Sequence, residues 1–574
     1  MGGGDQFPDT RKEKNDQIAS PTQNVHLHAV VDLGSNGIRC SISDLSNPTT
    51  RVIPTVHFHR VNISLYEAQI DPETGNRIPI PQSVIDRVVS AIVRFQIICV
   101  EIGVPSSNIR FIATEATRTA INSAAFTDAI YNKTSIRVQM LPKEEEGIVG
   151  GGSMQMTWIN SHNGNIHISP QGSVSFPYGA AALTQKLADL QRGKGKKEAE
   201  RSKENFRQEM ASNFRAAFDK LEIPEGMIKR AKTEGGFPLY LSGGGFRGWG
   251  YLLLYMHQTR GHHYPISIIN GYSAPKKDFE NTKALEEAAR TANEIFRVSD
   301  RRRKQVPSVA FLVNVLAESL PHGIKEAHFC QGGVREGVLF REMLPVIRQQ
   351  DPLEVATALY APSSAQSIAA LILSTLPRPE DGRSVPSSMT LHLIQAFANA
   401  LYVHATMSKE LSSSAALFST STGILASTHG IPHSDRALLA LMLQERYGGE
   451  LPPRDVDFKS HLQGILTPEE VWWTRYIGKL GFILGQLYPT GSIDSSKPRI
   501  VPTARWVDGL GKKGKKSGIE LIIAIQRVEY DPTHLKEELT HDIRKIEKVG
   551  KKKHWIDGWG MKVVVSVQEE DLLQ

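Results

Sequence analysis

The stretch His28-Ala29-Val30-Val31-Asp32-Leu33-Gly34-Ser35-Asn36-Gly37-Ile38-Arg39 carries the residue types needed to grip a phosphate. An apolar run that predicts a strand ends in the acid Asp32, and glycines and small polar residues follow. Gly34 and Gly37 lack a Cβ, so the chain can turn through positive φ there. Successive N–H groups can then close on an anion. Ser35 and Asn36 add side-chain donors, and Arg39 adds a planar fork that matches phosphate oxygens. Asp32, at the end of the strand, is placed to hold a metal-bound water rather than the phosphate itself. An ordinary strand–turn–strand with an exposed Asp is the plain alternative.

Five further segments have related chemistry. Phe111-Ile112-Ala113-Thr114-Glu115-Ala116-Thr117-Arg118 runs from a strand into a helix and sets Thr117 and Arg118 at a helix start, where orphan N–H groups favour anions. Simple capping by Thr114 fits the same letters. Lys143-Glu144-Glu145-Glu146-Gly147 offers a carboxylate that could orient or deprotonate water; a solvated first helical turn is the alternative. Gly150-Gly151-Gly152-Ser153 could form a second phosphate nest. Ser242-Gly243-Gly244-Gly245 could let a helix approach a nucleotide closely. Gln331-Gly332-Gly333-Val334-Arg335-Glu336-Gly337 reads as a structural glycine turn, with Arg335 as an anion contact.

These segments need a scaffold, and the pattern between them supplies one. Runs at 28–32, 38–43, 52–64, 109–113 and 137–141 predict strands, with helices over Ser83–Glu101 and Arg118–Tyr131. Such alternation predicts an α/β layer with a mixed sheet. A hairpin is expected around Asn163-Gly164, and a long polar helix over Leu187–Lys220, broken by its Lys-rich loop. Helices over Lys283–Phe296 and Val309–Leu320 precede a strand ending at Cys330. Residues 351–490 are almost wholly helical in pattern. Pro498–Pro502 reads as a linker to a final strand, helix and strand.

The bulk numbers bound the rest. With 574 residues, several domains are expected. Hydrophobic and charged contents of 40% and 22% suit a globular protein. No apolar run approaches the roughly 18 residues of a membrane span, and the polar N-terminus lacks a secretory h-region. Cys40, Cys99 and Cys330 are too few and too scattered for a disulfide framework, which fits a reducing compartment. The net charge of +7 gathers in short runs, 192–197, 301–304, 512–516 and 551–553, read as solvated loops. Aromatic residues do not interleave with them, so nucleic acid is the least favoured partner.

Taken in order, Asp-x-Gly-Ser-Asn, Ala-Thr-x-Ala-x-Arg, Glu-Glu-Glu-Gly, Gly-Gly-Gly-Ser, Gly-Gly-Gly and Gly-Gly-x-Arg-Glu-Gly resemble the exopolyphosphatase/guanosine pentaphosphate phosphatase (PPX/GppA) family. Segments such as Leu141–Gly147 and Gly172–Leu183 look closest to a fungal branch that relays mitochondrial state to the nucleus. The resemblance implies an actin/sugar kinase-like (ribonuclease H-like) two-lobed α/β fold, then a helical HD-like domain and a small C-terminal α+β domain. The corresponding boundaries are a disordered tail at 1–25, lobe I at 26–150, lobe II at 151–350, the helical domain at 351–495 and the small domain at 496–574. It implies that Asp32, Gly34, Ser35 and Asn36 form phosphate loop one and that Arg118 contacts a phosphate chain. Glu146 would activate water, Gly151, Gly152 and Ser153 would form phosphate loop two, and Gly243, Gly244 and Gly245 the nucleoside-side loop. Mg²⁺ on Asp32, and ATP or a related nucleotide or polyphosphate, are the implied cofactor and ligand.

One departure bears on activity. In the family a helix and a strand ending in Asp-x-Gly-Gly-Gly-Ser follow the glutamate, whereas here only Gly147-Ile148-Val149 separates Glu146 from Gly150. A helix of about 11 residues and a strand of about 5 cannot fit, so a segment of roughly 20 residues is missing, with the second loop's Asp. This favours a nucleotide- or polyphosphate-binding regulatory protein in mitochondria-to-nucleus retrograde signalling over an active phosphohydrolase. Regulatory protein partners and a cytoplasmic location, with the nucleus as a second, go with that reading; a homodimer is left open, and no membrane is expected to be involved.

Overall fold

The computed structural model describes residues 24–35, 37–141, 153–162, 165–511, 514–526 and 532–570. Its first sheet is built from β1 (Leu27–Gly34), β2 (Gly37–Asp44), β3 (Thr55–Val61), β4 (Ile109–Ala113) and β5 (Val138–Met140), in the order β3-β2-β1-β4-β5. β1, β2 and β3 pair antiparallel; β4 runs parallel to β1, and β5 parallel to β4. Central β1 is covered on both faces, with Val30 and Val31 fully enclosed, which explains a continuous rather than alternating apolar run. Helices Gln82–Ile102 and Ser123–Thr134 cover one face through Val88, Ile92, Phe95 and Phe126. The other face is covered from far along the chain: helix Val334–Glu342 sets Val338 and Leu339 against Val30 and Ile112.

Two ribbons follow, β6 (Met154–Met156) with β9 (Val174–Phe176) and β7 (Ile159–His162) with β8 (Asn165–Ile168), the latter being the expected hairpin. A three-stranded sheet of β10 (Phe237–Leu241), β11 (Tyr272–Pro275) and β12 (Ile324–Phe329) has the order β10-β12-β11. Among the described residues, β10 has no strand on its other side. Helices Lys196–Lys220, Gly244–Thr259 and Asp300–Ser319 close this unit around Phe214, Trp249 and Val313.

In the last part, helices that include Leu391–Ala400, His433–Arg446 and Pro468–Leu487 pack with a sheet of β13 (Ile500–Leu510), β14 (Lys516–Gln526) and β15 (Lys562–Glu570). One apolar core runs through both, from Leu353 and Phe397 to Trp506, Ile523 and Val563. Trp472 Nε1 donates to the Val549 carbonyl at 3.3 Å and Trp506 Nε1 to that of Arg378 at 2.8 Å, so residues 351–495 and 496–570 share their interior.

Three local expectations change. The expected linker Pro498–Pro502 leads into and begins β13; Pro502 is tolerated because β13 is an edge strand. The helix expected over Arg118–Tyr131 divides into Glu115–Arg118 and Ser123–Thr134, with Asn122 Oδ1 between them accepting from Ile80 N–H at 2.8 Å. The 301–304 basic run, expected in a loop, is the first turn of helix Asp300–Ser319. No helix among the described residues is long and apolar enough to cross a membrane.

Candidate functional site

Asp32 stands opposite Arg39 across the β1–β2 pair. It is 5% exposed, and its Oδ1 has no hydrogen-bond partner. Burial pushes its carboxyl above the usual range, while Arg39 and Arg335 pull it back. The turn beyond it is tight. A Cβ on Gly34 would stand 3.1 Å from the Gly37 carbonyl oxygen, and one on Gly37 would stand 3.3 Å from Arg60 Nε. Of the two glycines only Gly37 takes positive φ, 155°. The Ser35 carbonyl accepts from Ser64 Oγ at 3.1 Å and from Tyr66 N–H at 3.0 Å, which fixes the loop. Arg301 Nη2 pairs with Glu67 at 2.7 Å and lies 3.5 Å from Ser64 Oγ. Helix Asp300–Ser319 is thereby tied to the segment that supports the first glycine loop.

The second sheet supplies the facing loops. Gly243, at φ 101°, turns the chain from β10 into helix Gly244–Thr259. A Cβ on Gly245 would stand 3.2 Å from that of Ala180, whereas one on Gly244 would meet nothing within 4 Å. Gly245 thus permits close helix packing, and Gly244 faces open space. Both line a shallow recess, open to solvent, with Gly248, Arg302 and Val306. Ser242 Oγ donates to the Gly332 carbonyl at 3.0 Å, which brings the 331–333 turn alongside. At the head of helix Val334–Glu342, Glu336 accepts from Gly333 N–H at 2.7 Å and from Arg335 Nη2 at 3.0 Å. Those contacts, with Arg335 first among them, hold the Glu336 carboxyl below its usual range against the opposing effect of burial. Arg335 is 8% exposed and lies over the Phe58 ring, and its Nη1 has no partner.

Arginines from distant elements near these loops act on one another through their charges. Arg302 is pushed down to about 10 by burial and then by the charges of Arg247, Arg60 and Arg39. Arg247 is lowered by burial and then by Arg39, with Arg60 adding to it. Arg60 is lowered by burial, Arg39 and Arg301. Like charges this close disfavour the protonated forms, and a bound polyanion would reverse that effect.

The remaining expected site residues lie as follows. Thr117 is fully enclosed, and its hydroxyl has no partner. Arg118 donates to Glu115 at 2.6 Å and to the Leu141 carbonyl. Ser153, 8% exposed, accepts from Gln155 Nε2 at 3.0 Å. Asn36, Glu146, Gly151 and Gly152 lie outside the described residues. Sequence reasoning singled out Asp32, Arg39, Arg335 and the glycine loops, but not Arg60, Arg247 or Arg302.

Residues 44–345 match the Ppx/GppA phosphatase family. Retrograde regulation protein 2 of Saccharomyces cerevisiae is 36% identical over 504 residues, 82% of each chain. This chain belongs to the Ppx/GppA phosphatase family. Residues 351–570 of this Ppx/GppA member match the RTG2 C-terminal domain. Among solved structures, the Ppx/GppA family member of Aquifex aeolicus is 17% identical with a TM-score of 0.41, covering 57% of this chain and 100% of its own. An exopolyphosphatase from Cytophaga hutchinsonii is 18% identical with a TM-score of 0.38, covering 55% and 96%.

Proposed function

We propose that the chain is a regulatory Ppx/GppA protein of mitochondria-to-nucleus retrograde signalling that binds a nucleotide such as ATP, or a polyphosphate, between its two sheets. The observation that carries the binding reading is the buried Asp32 turn, with Arg39 opposite it and Arg60 beside Gly37, together with the glycine recess that Arg302 lines on the second sheet. A chain of phosphates supplies the negative charge that Asp32 and Glu336 do not. The regulatory reading rests on likeness to retrograde regulation protein 2, which extends through the C-terminal half. The strand order β3-β2-β1-β4-β5, antiparallel and then parallel, supports a ribonuclease H-like lobe of the actin type.

Mg²⁺ fits Asp32, whose buried Oδ1 has no partner. Among the described residues no three His, Cys, Asp or Glu side chains cluster as ligands, so phosphate oxygens and water would complete the shell, as is usual for this ion. When bound, the ion would neutralise part of the phosphate charge.

Calorimetry with inorganic tripolyphosphate and with Mg²⁺–ATP tests the reading. Binding by the wild-type chain, weakened in Arg302→Gln, is expected, with little phosphate released over the same period. Absence of binding to both ligands would overturn it. Fast phosphate release that disappears in Glu146→Ala would show a working hydrolase instead.

A further inference from the structure

The cleft and the C-terminal half meet at a joint built from hydrogen bonds. The 331–333 turn, already bound to Ser242, is tied by Gln331 N–H to Asn270 Oδ1 at 3.1 Å. Asn270 is 3% exposed, and its carbonyl lies 3.1 Å from His433 Nε2. His433 is the first residue of helix His433–Arg446. Its backbone N–H donates to the Gly271 carbonyl at 3.0 Å, and its Nδ1 lies 2.8 Å from the Tyr264 hydroxyl. The joint has no slack: a Cβ on Gly271 would stand 2.1 Å from the Ile431 carbonyl oxygen. The segment leading into it is held by fully buried Arg436, which donates to the carbonyls of Thr420, Leu425 and Thr428 at 2.5, 2.7 and 2.7 Å.

Anion binding would press on this joint from the cleft side. Glu336 holds the Gly333 N–H and Arg335 Nη2, while Arg335 Nη1 has no partner. A phosphate that takes Nη1 stands beside the Glu336 carboxylate as a like charge. That repulsion weakens the hold of Glu336 on the turn at Gly333. Bound and free states then differ in turn position, which is the differential contact that coupling requires. Beyond the joint, helix His433–Arg446 runs through the core with Leu438, Leu439, Met442 and Leu443 fully enclosed. Close packing passes on a shift at its first residue instead of absorbing it.

We infer that occupation of the cleft by a phosphate chain is transmitted to the C-terminal half through the Gln331–Asn270–His433 hydrogen-bond path. The inference rests on the cleft reading above, and its test separates the two. Hydrogen exchange is followed on the full chain with and without saturating tripolyphosphate, alongside calorimetry with the same compound. In wild type, exchange across residues 418–446 is expected to change on binding. In Asn270→Ala that change should fall by about fivefold or more while the dissociation constant stays within about twofold. His433→Gln, which keeps a polar side chain at the joint, serves as the second variant should Asn270→Ala fail to fold. Binding without any exchange change in wild type, or a full change in both variants, would overturn the coupling alone. No binding heat in wild type would overturn the cleft reading itself and take the coupling with it.

Discussion

Arg302 is a charge that the fold holds against its own preference. Its pKa in the folded chain, about 10, lies below the ordinary 12.5, so at neutral pH its protonated form opposes folding. Arg302→Gln is therefore expected to leave the ligand-free melting temperature unchanged or higher. Its tripolyphosphate affinity should fall about tenfold, or about 1.4 kcal/mol, and thermal shifts with and without ligand measure both. His433 is depressed too, to about 3, by burial and then by Arg436, so its ring is neutral in the fold. Its contribution is whole above pH 6.5 and is lost as pH falls toward 3. Neighbouring Asp435 works oppositely: burial, then Asp351, raise it to about 6, so its ionisation removes stability as pH rises from 3.8 through 6. The two effects are separated by comparing variants. Urea unfolding of His433→Gln across pH 3 to 6.5 should show a shallower acid-side loss than wild type. Asp32 and the glycine loops stand out in the sequence because a local run of residues marks the turn they make. Arg60, Arg247 and Arg302 do not, because each is an ordinary surface letter until β3 and two helices bring them together.

At the scale of elements, glycines mark where pieces of chain pass within contact. Gly271→Ala would both strain a φ of 85° and drive a methyl into the Ile431 carbonyl. Loss of about 2 kcal/mol or more of stability is expected, measured by denaturant unfolding. The strands of the first sheet and the long helix after β3 were readable from apolar period and length. Helix Asp300–Ser319 was read short, since its first turn, Asp300-Arg301-Arg302-Arg303, carries no apolar period at all. β13 was hidden by Pro502, which only an edge position tolerates. The short helices Lys409–Phe418 and Pro453–Gln463 went unread because serines and charged residues blur their buried faces.

At the scale of the molecule, the shared interior of residues 351–570 governs what can be removed. A chain ending at 495 would uncover the surfaces that Trp506, Ile519 and Val563 now seal. It is expected to be insoluble or to bind a hydrophobic dye, while a 351–570 fragment should unfold in coincident transitions by circular dichroism and tryptophan fluorescence. Only Gly147-Ile148-Val149 separates Glu146 from Gly150, too few residues for the helix and strand of the family pattern. Sequencing cDNA across those codons is expected to show an added in-frame stretch of roughly 20 residues, and an uninterrupted join would refute it.

The common interior also bears on how a message could leave this protein. A half that melts together responds together, so a nudge at the entry of its central helix reaches every face it displays. Whatever listens to it downstream is not confined to a docking spot beside the ligand; it could settle on the far side and hear the same signal.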